Sequence, residues 1–69
     1  MAEYKTVWVI DEKRIPDAVV QAIKRKFTPD LMQFERVMKE LKYDGLNGCY
    51  YFMYAGMFHG VEPDGYIHT

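Results

Sequence analysis

Cys49-Tyr50-Tyr51-Phe52-Met53-Tyr54-Ala55-Gly56-Met57-Phe58 is apolar or aromatic at every position except Gly56. How this run is read decides the fold. Wound as a helix, it gathers Leu46, Cys49, Tyr50, Met53 and Met57 on one face. Extended, it alternates Tyr50, Phe52 and Tyr54 against Cys49, Tyr51 and Met53. Periodicity does not separate the two when nearly every position is apolar. Residue type favours the strand: three Tyr and a Phe fall within residues 50–54, and glycines at 48 and 56 weaken a helix. Downstream, Pro63-Asp64-Gly65 stands between two apolar segments and has the stereochemistry of a turn. The run therefore predicts a hairpin, with a strand over 49–58, a loop through Gly65 and a short strand over 66–68. The alternative is a third helix, which gives one β-strand plus a three-helix bundle.

Upstream, two amphipathic segments read as helices. In the first, Ile15, Val19, Ala22, Ile23 and Phe27 recur at the helical period, widened by Ala18 and Val20. Pro16 suits the first turn, Asp17 complements the positive end of the helix dipole, and Lys24-Arg25-Lys26 complements the negative end. This predicts a helix over 16–27. Thr28-Pro29 restarts the pattern as N-cap and first helical residue, followed by the stripe Leu31, Phe34, Val37, Met38 and Leu41. Glu35 and Lys39 stand at i, i+4 in the favourable order on the polar face. The second helix is predicted over 29–43, closed by Asp44-Gly45-Leu46 with Gly45 in the left-handed C′ position. Before both helices, residues 4–10 are rich in β-branched and aromatic side chains and predict a strand, joined to the first helix by the charged connector Asp11-Glu12-Lys13-Arg14.

The fold class that follows is α+β: a small β-α-α-β-β domain over residues 1–69, an antiparallel sheet with two helices packed on one face. A chain of 69 residues is one domain, and at this size only about 60% of the unfolded chain's surface is buried. A single cysteine, Cys49, rules out an internal disulfide. A dense aromatic core or association with another chain must supply the stability, and the aromatic content of 16% serves either.

Chemistry finds little foothold. Cys49, His59 and His68 are metal-ligand types, but C-x9-H-x8-H lacks the closely spaced pairs of zinc sites, so no metal and no cofactor is expected. No electropositive setting or adjacent base activates Cys49. The carboxylates lie on helix ends and polar faces, and the glycines form no phosphate-binding loop. The sequence is read as non-enzymatic. No run reaches the 18–20 apolar residues of a membrane span, and with a lone thiol and no leader pattern at its start the chain reads as cytoplasmic.

Two binding readings remain. The order of two helices and a hairpin is analogous in arrangement to a winged helix-turn-helix without its third helix, with Lys24, Arg25, Lys26, Arg36 and Lys39 as phosphate contacts. Against it stand Glu35 and Glu40 on the would-be recognition helix and a net charge of −1. The preferred reading is recognition of another protein, as a stoichiometric inhibitor or adaptor of the kind found in bacteriophages, or self-association as a homodimer. A hairpin has two faces and two helices cover one, so an aromatic-rich surface built from Tyr50, Tyr51, Tyr54, Phe58 and Trp8 is the expected contact.

Overall fold

The computed structural model describes residues 7–68 and contains two helices and two antiparallel sheets. Strands β1 (Val9–Ile10) and β2 (Lys13–Arg14) form a small hairpin. Helices α1 (Asp17–Lys26) and α2 (Leu31–Glu40) follow, and then β3 (Lys42–Asp44), β4 (Cys49–Tyr54) and β5 (Met57–Val61) form a meander in the order β3-β4-β5. The α+β class and the two helices are as the sequence predicts. The third-helix alternative is overturned, because the apolar run is strand.

The strands themselves differ from expectation in four places. First, residues 4–6 of the predicted first strand lie outside the described residues, and Val9–Ile10 pairs with Lys13–Arg14 instead of joining the main sheet. The charged connector is thus half turn and half strand. Asp11 and Glu12 adopt φ of 50° and 64°, the left-handed pair of a tight hairpin turn whose twist matches the flanking strands.

Second, α2 stops at Glu40 and not near residue 43. Leu41 is already extended (φ −61°, ψ 138°), and Lys42, Tyr43 and Asp44 pair with Tyr51, Tyr50 and Cys49. Asp44 and Gly45, read as a helix stop, belong to the β3–β4 turn. The Asp44 carboxylate accepts from the Leu46 N–H at 3.0 Å and the Asn47 side-chain amide at 2.6 Å, and Gly48 takes φ 68°. Cross-strand contact between the Tyr43 and Tyr50 rings, 5.0 Å apart, holds residue 43 in the sheet.

Third, the predicted strand over 49–58 is broken at Ala55-Gly56, with φ of 53° and 77°. The chain turns back there, and β5 pairs with β4 from Tyr54↔Met57 to Tyr50↔Val61. Fourth, the predicted final strand over 66–68 reduces to one bridge, Val61↔Ile67. The helix boundaries also shift. Asp30, not Thr28, caps α2 by accepting from the Gln33 N–H at 3.0 Å, while the Thr28 hydroxyl donates to the Lys24 carbonyl.

The core lies between the helices and one face of the meander. It comprises Ile15, Val19, Ile23 and Phe27 from α1 and its flanks, Phe34, Val37, Met38 and Leu41 from α2 and its C-terminal flank, and Tyr50, Phe52 and Val61 from the sheet. Phe27 meets Phe52 edge to face at 5.9 Å. Trp8 anchors the small hairpin, its ring edge-on to Phe34 at 6.0 Å and its carbonyl accepting from the Ile15 N–H. Leu31, counted in the apolar stripe, is exposed. The loop after β5 seats against α1: Gly65 has φ 98°, and a Cβ there would lie 2.8 Å from the Ala18 carbonyl oxygen. Among the described residues, no helix is long and apolar enough to cross a membrane.

Candidate protein-binding surface

Register divides the β4–β5 hairpin into a base and a tip. At the base, β4 has β3 on one side as far as Tyr51, and beside β5 the segment at Ile67–His68 closes Val61 and Gly60, with the His68 N–H donating to the Gly60 carbonyl. Beyond that, among the described residues, 52–54 pair only with 57–59. Among the described residues this part is a two-stranded ribbon with both edges open; its outermost pairs, Met53↔Phe58 and Tyr54↔Met57, form the tip, and the Phe52↔His59 pair belongs to the base.

Alternation assigns its faces. Tyr50, Phe52, Tyr54, Met57, His59 and Val61 point toward the helices; Tyr51, Met53 and Phe58 point away. At the base the inner face is sealed, and Phe52 and Val61 are buried. Toward the tip the cover ends with Phe27, whose ring meets Tyr54 at 4.9 Å. Past that point Tyr54 and Met57 remain exposed on the inner face, as do Met53 and Phe58 on the outer face. Tyr51 stands edge-on to Phe58 at 6.0 Å. A groove of about 470 Å³ runs between the outer face and the end of α2, lined by Leu41, Lys42, Tyr51, Met53 and Phe58 among others.

The five predicted contact residues are therefore not one surface. Tyr51 and Phe58 adjoin on the outer face, and Tyr54 lies on the inner face of the same ribbon. Tyr50 is core: burial, with the Tyr43 phenol beside it, raises its phenol above the usual range. Trp8 is half-buried and lines a separate groove with Ile15, Val20 and Phe34, sharing no residue with the groove at the ribbon. Met53 and Met57 were not picked out as contacts by the sequence reading. Their signal was there: no Asp, Glu, Lys or Arg occurs between Asp44 and Glu62, although a run of this kind also suits a core strand.

The cations of the nucleic-acid reading are exposed and line no common groove. Lys24 lines the Trp8 groove, Arg25 and Lys26 line another beside Tyr66, and Lys39 lines the groove at the ribbon; Arg36 lines none of the three.

The candidate ligand residues are also apart in role. His59 stacks on Phe52 at 5.3 Å with its Nδ1 buried and without a hydrogen-bond partner, His68 Nε2 lies 3.4 Å from Glu62 Oε2, and Cys49 pairs across from Asp44. Among the described residues no group of three or more His, Cys, Asp or Glu side chains could hold a metal ion. Comparison with protein-family models, with curated proteins and with solved structures gives no match.

Proposed function

We propose that this chain is a small protein-binding domain that works without catalysis, in the cytoplasm, by occupying the surface of another protein as a stoichiometric inhibitor or adaptor. One observation carries the reading: Met53, Tyr54, Met57 and Phe58 stand exposed together at the tip of the β4–β5 hairpin. Burying a side chain of this size is worth about 1.5–3 kcal/mol, and a domain of 69 residues has little stability to forgo. Leaving four such groups in water is intelligible if a partner covers them. Aromatic and Met side chains are also the types enriched at protein interfaces.

The test is affinity capture by the immobilised chain from a lysate of the cells that make it, with light scattering on the eluted complex. The expected result is one protein retained at equal stoichiometry. Retention of double-stranded DNA instead, falling steeply between about 50 and 200 mM salt, would replace this reading with the regulator.

A further inference from the structure

We infer that the tip of the β4–β5 hairpin is an insertion finger, which enters an uncharged, apolar-walled cleft of its partner so that both faces of the ribbon are covered at once. The inference rests on the protein-binding reading above and adds the partner's shape and chemistry to it.

The two faces come first. Met53 and Phe58, 49% and 66% exposed, are a cross-strand pair on the outer face; Tyr54 and Met57, 38% and 61% exposed, are the next pair on the inner face. A flat partner covers one pair and leaves the other in water. A concave partner covers both.

Area separates the cleft from a second copy of the chain. Taking roughly 200 Å² as the full area of each such side chain, the outer pair exposes about 230 Å² and all four about 430 Å². Two copies packed outer face to outer face would bury about 460 Å² from these residues, well short of the roughly 1,200 Å² of a stable interface. Pairing two copies edge to edge would give the four side chains cross-strand neighbours but leave both faces of the ribbon open to water. A cleft holding both pairs, with its own walls counted, buries about 860 Å² before backbone and Tyr51 are added, nearly twice what the same residues give the dimer on the same scale.

Charge gives the chemistry of the walls. No Asp, Glu, Lys or Arg occurs between Asp44 and Glu62, and the charged side chains beside the outer face, Lys39, Glu40 and Lys42, belong to α2 and β3. The four tip side chains offer no counter-charge, and a charged wall would be desolvated against them without compensation. The open edges then distinguish protein from lipid. Residues 52–54 and 57–59 pair only with each other, so each strand has one side of its backbone unpaired among the described residues. In a bilayer those N–H and C=O groups would lose water and gain nothing. A protein cleft supplies backbone or side-chain partners for them.

Photo-crosslinking tests the geometry. The variants Met57→p-benzoylphenylalanine (inner face), Phe58→p-benzoylphenylalanine (outer face) and Met32→p-benzoylphenylalanine (exposed on α2, outside the ribbon) are irradiated in lysate of the cells that make the chain. The expected result is that both ribbon probes attach to the same polypeptide and the Met32 probe does not. In parallel, Met57→Ser and Phe58→Ser each lower the amount captured by about tenfold, the effect of roughly 1.4 kcal/mol, with melting temperatures unchanged.

Attachment from one ribbon face alone, or from Met32 alone, overturns the finger and leaves protein binding standing. Adducts between copies in the purified chain overturn it in favour of self-association. Co-flotation with phosphatidylcholine or phosphatidylcholine–phosphatidylserine vesicles overturns it in favour of lipid. Absence of any attachment or capture removes both the finger and the function it rests on.

Discussion

Tyr50, Phe52 and Val61 at the base of the β4–β5 hairpin are almost fully buried, whereas Met57 and Phe58 at its tip are mostly exposed. The two groups belong to the same two strands and to the same chemical class. What differs is cover: Phe58 points to the outer face, away from the helices, and Met57, on the same inner face as the buried three, lies beyond their reach. An α-helix of ten residues is about 15 Å long, and α1 and α2, ten residues each, cover the sheet only as far as Phe27 and Tyr54. In so small a domain, apolar character alone does not bury a side chain; the extent of the cover does.

The sharpest way to break this comparison is to truncate one ring in each half. Phe52→Ala opens a cavity in the core and should cost about 3–5 kcal/mol, while Phe58→Ala should cost less than about 1 kcal/mol, measured by urea or guanidinium unfolding. Equal losses would mean that the tip is packed after all. Gly65→Ala comes next, because the new Cβ meets the Ala18 carbonyl at 2.8 Å in a left-handed backbone. About 2 kcal/mol is expected from the lost φ freedom and the displaced loop, read in the same unfolding experiment.

Gly56→Ala sharpens the contrast from the tip. It also falls at positive φ, but its Cβ meets nothing within 4 Å, so only backbone strain of about 1 kcal/mol remains. That loss should appear as faster hydrogen exchange confined to 52–59 and not as global unfolding.

The smallest effect concerns pH at the base. Hydrogen bonds from the Asn47 side chain and the Leu46 N–H lower the Asp44 pKa below its ordinary value of 3.8. A lowered carboxylate contributes stability that is complete above the unfolded pKa and lost as pH falls through the folded one. Acid titration of thermal stability should therefore show a small loss beginning just below pH 4 that is absent in Asp44→Asn and reduced in Asn47→Ala.

Much of this was legible along the chain. The stripes Ile15-Val19-Ile23-Phe27 and Phe34-Val37-Met38-Leu41 gave both helices, because a 3.6-residue period is carried by residue spacing alone. Turn chemistry was less decisive. Asp44, Gly45, Asn47 and Gly48 suit a helix stop and a β-turn equally, and pairing of Tyr43 with Tyr50 settled the choice. Ala55-Gly56 was missed as a turn because alanine at positive φ is not a turn signature, and the short-range hairpin signals are Asn-Gly and Asp-Gly. At the site, Tyr51, Tyr54 and Phe58 were named from the two faces of a hairpin; Tyr54 and Phe58 are exposed and Tyr51 half-buried, whereas Tyr50 is core and Met53 and Met57 complete the exposed set.

The sequence by itself determined the two helices, which depend on local spacing, and favoured strand over a third helix for the run at 49–58, and with it the β-α-α-β-β reading, through residue type. Only the tertiary structure decided where that run folds back, which tyrosine the helices cover, and how far their cover extends. Those outcomes depend on contacts between residues distant in the chain: Tyr43 on Tyr50, Phe27 on Phe52 and Tyr54, and Gly65 on Ala18. An apolar run carries no mark of its own for the point at which its cover ends.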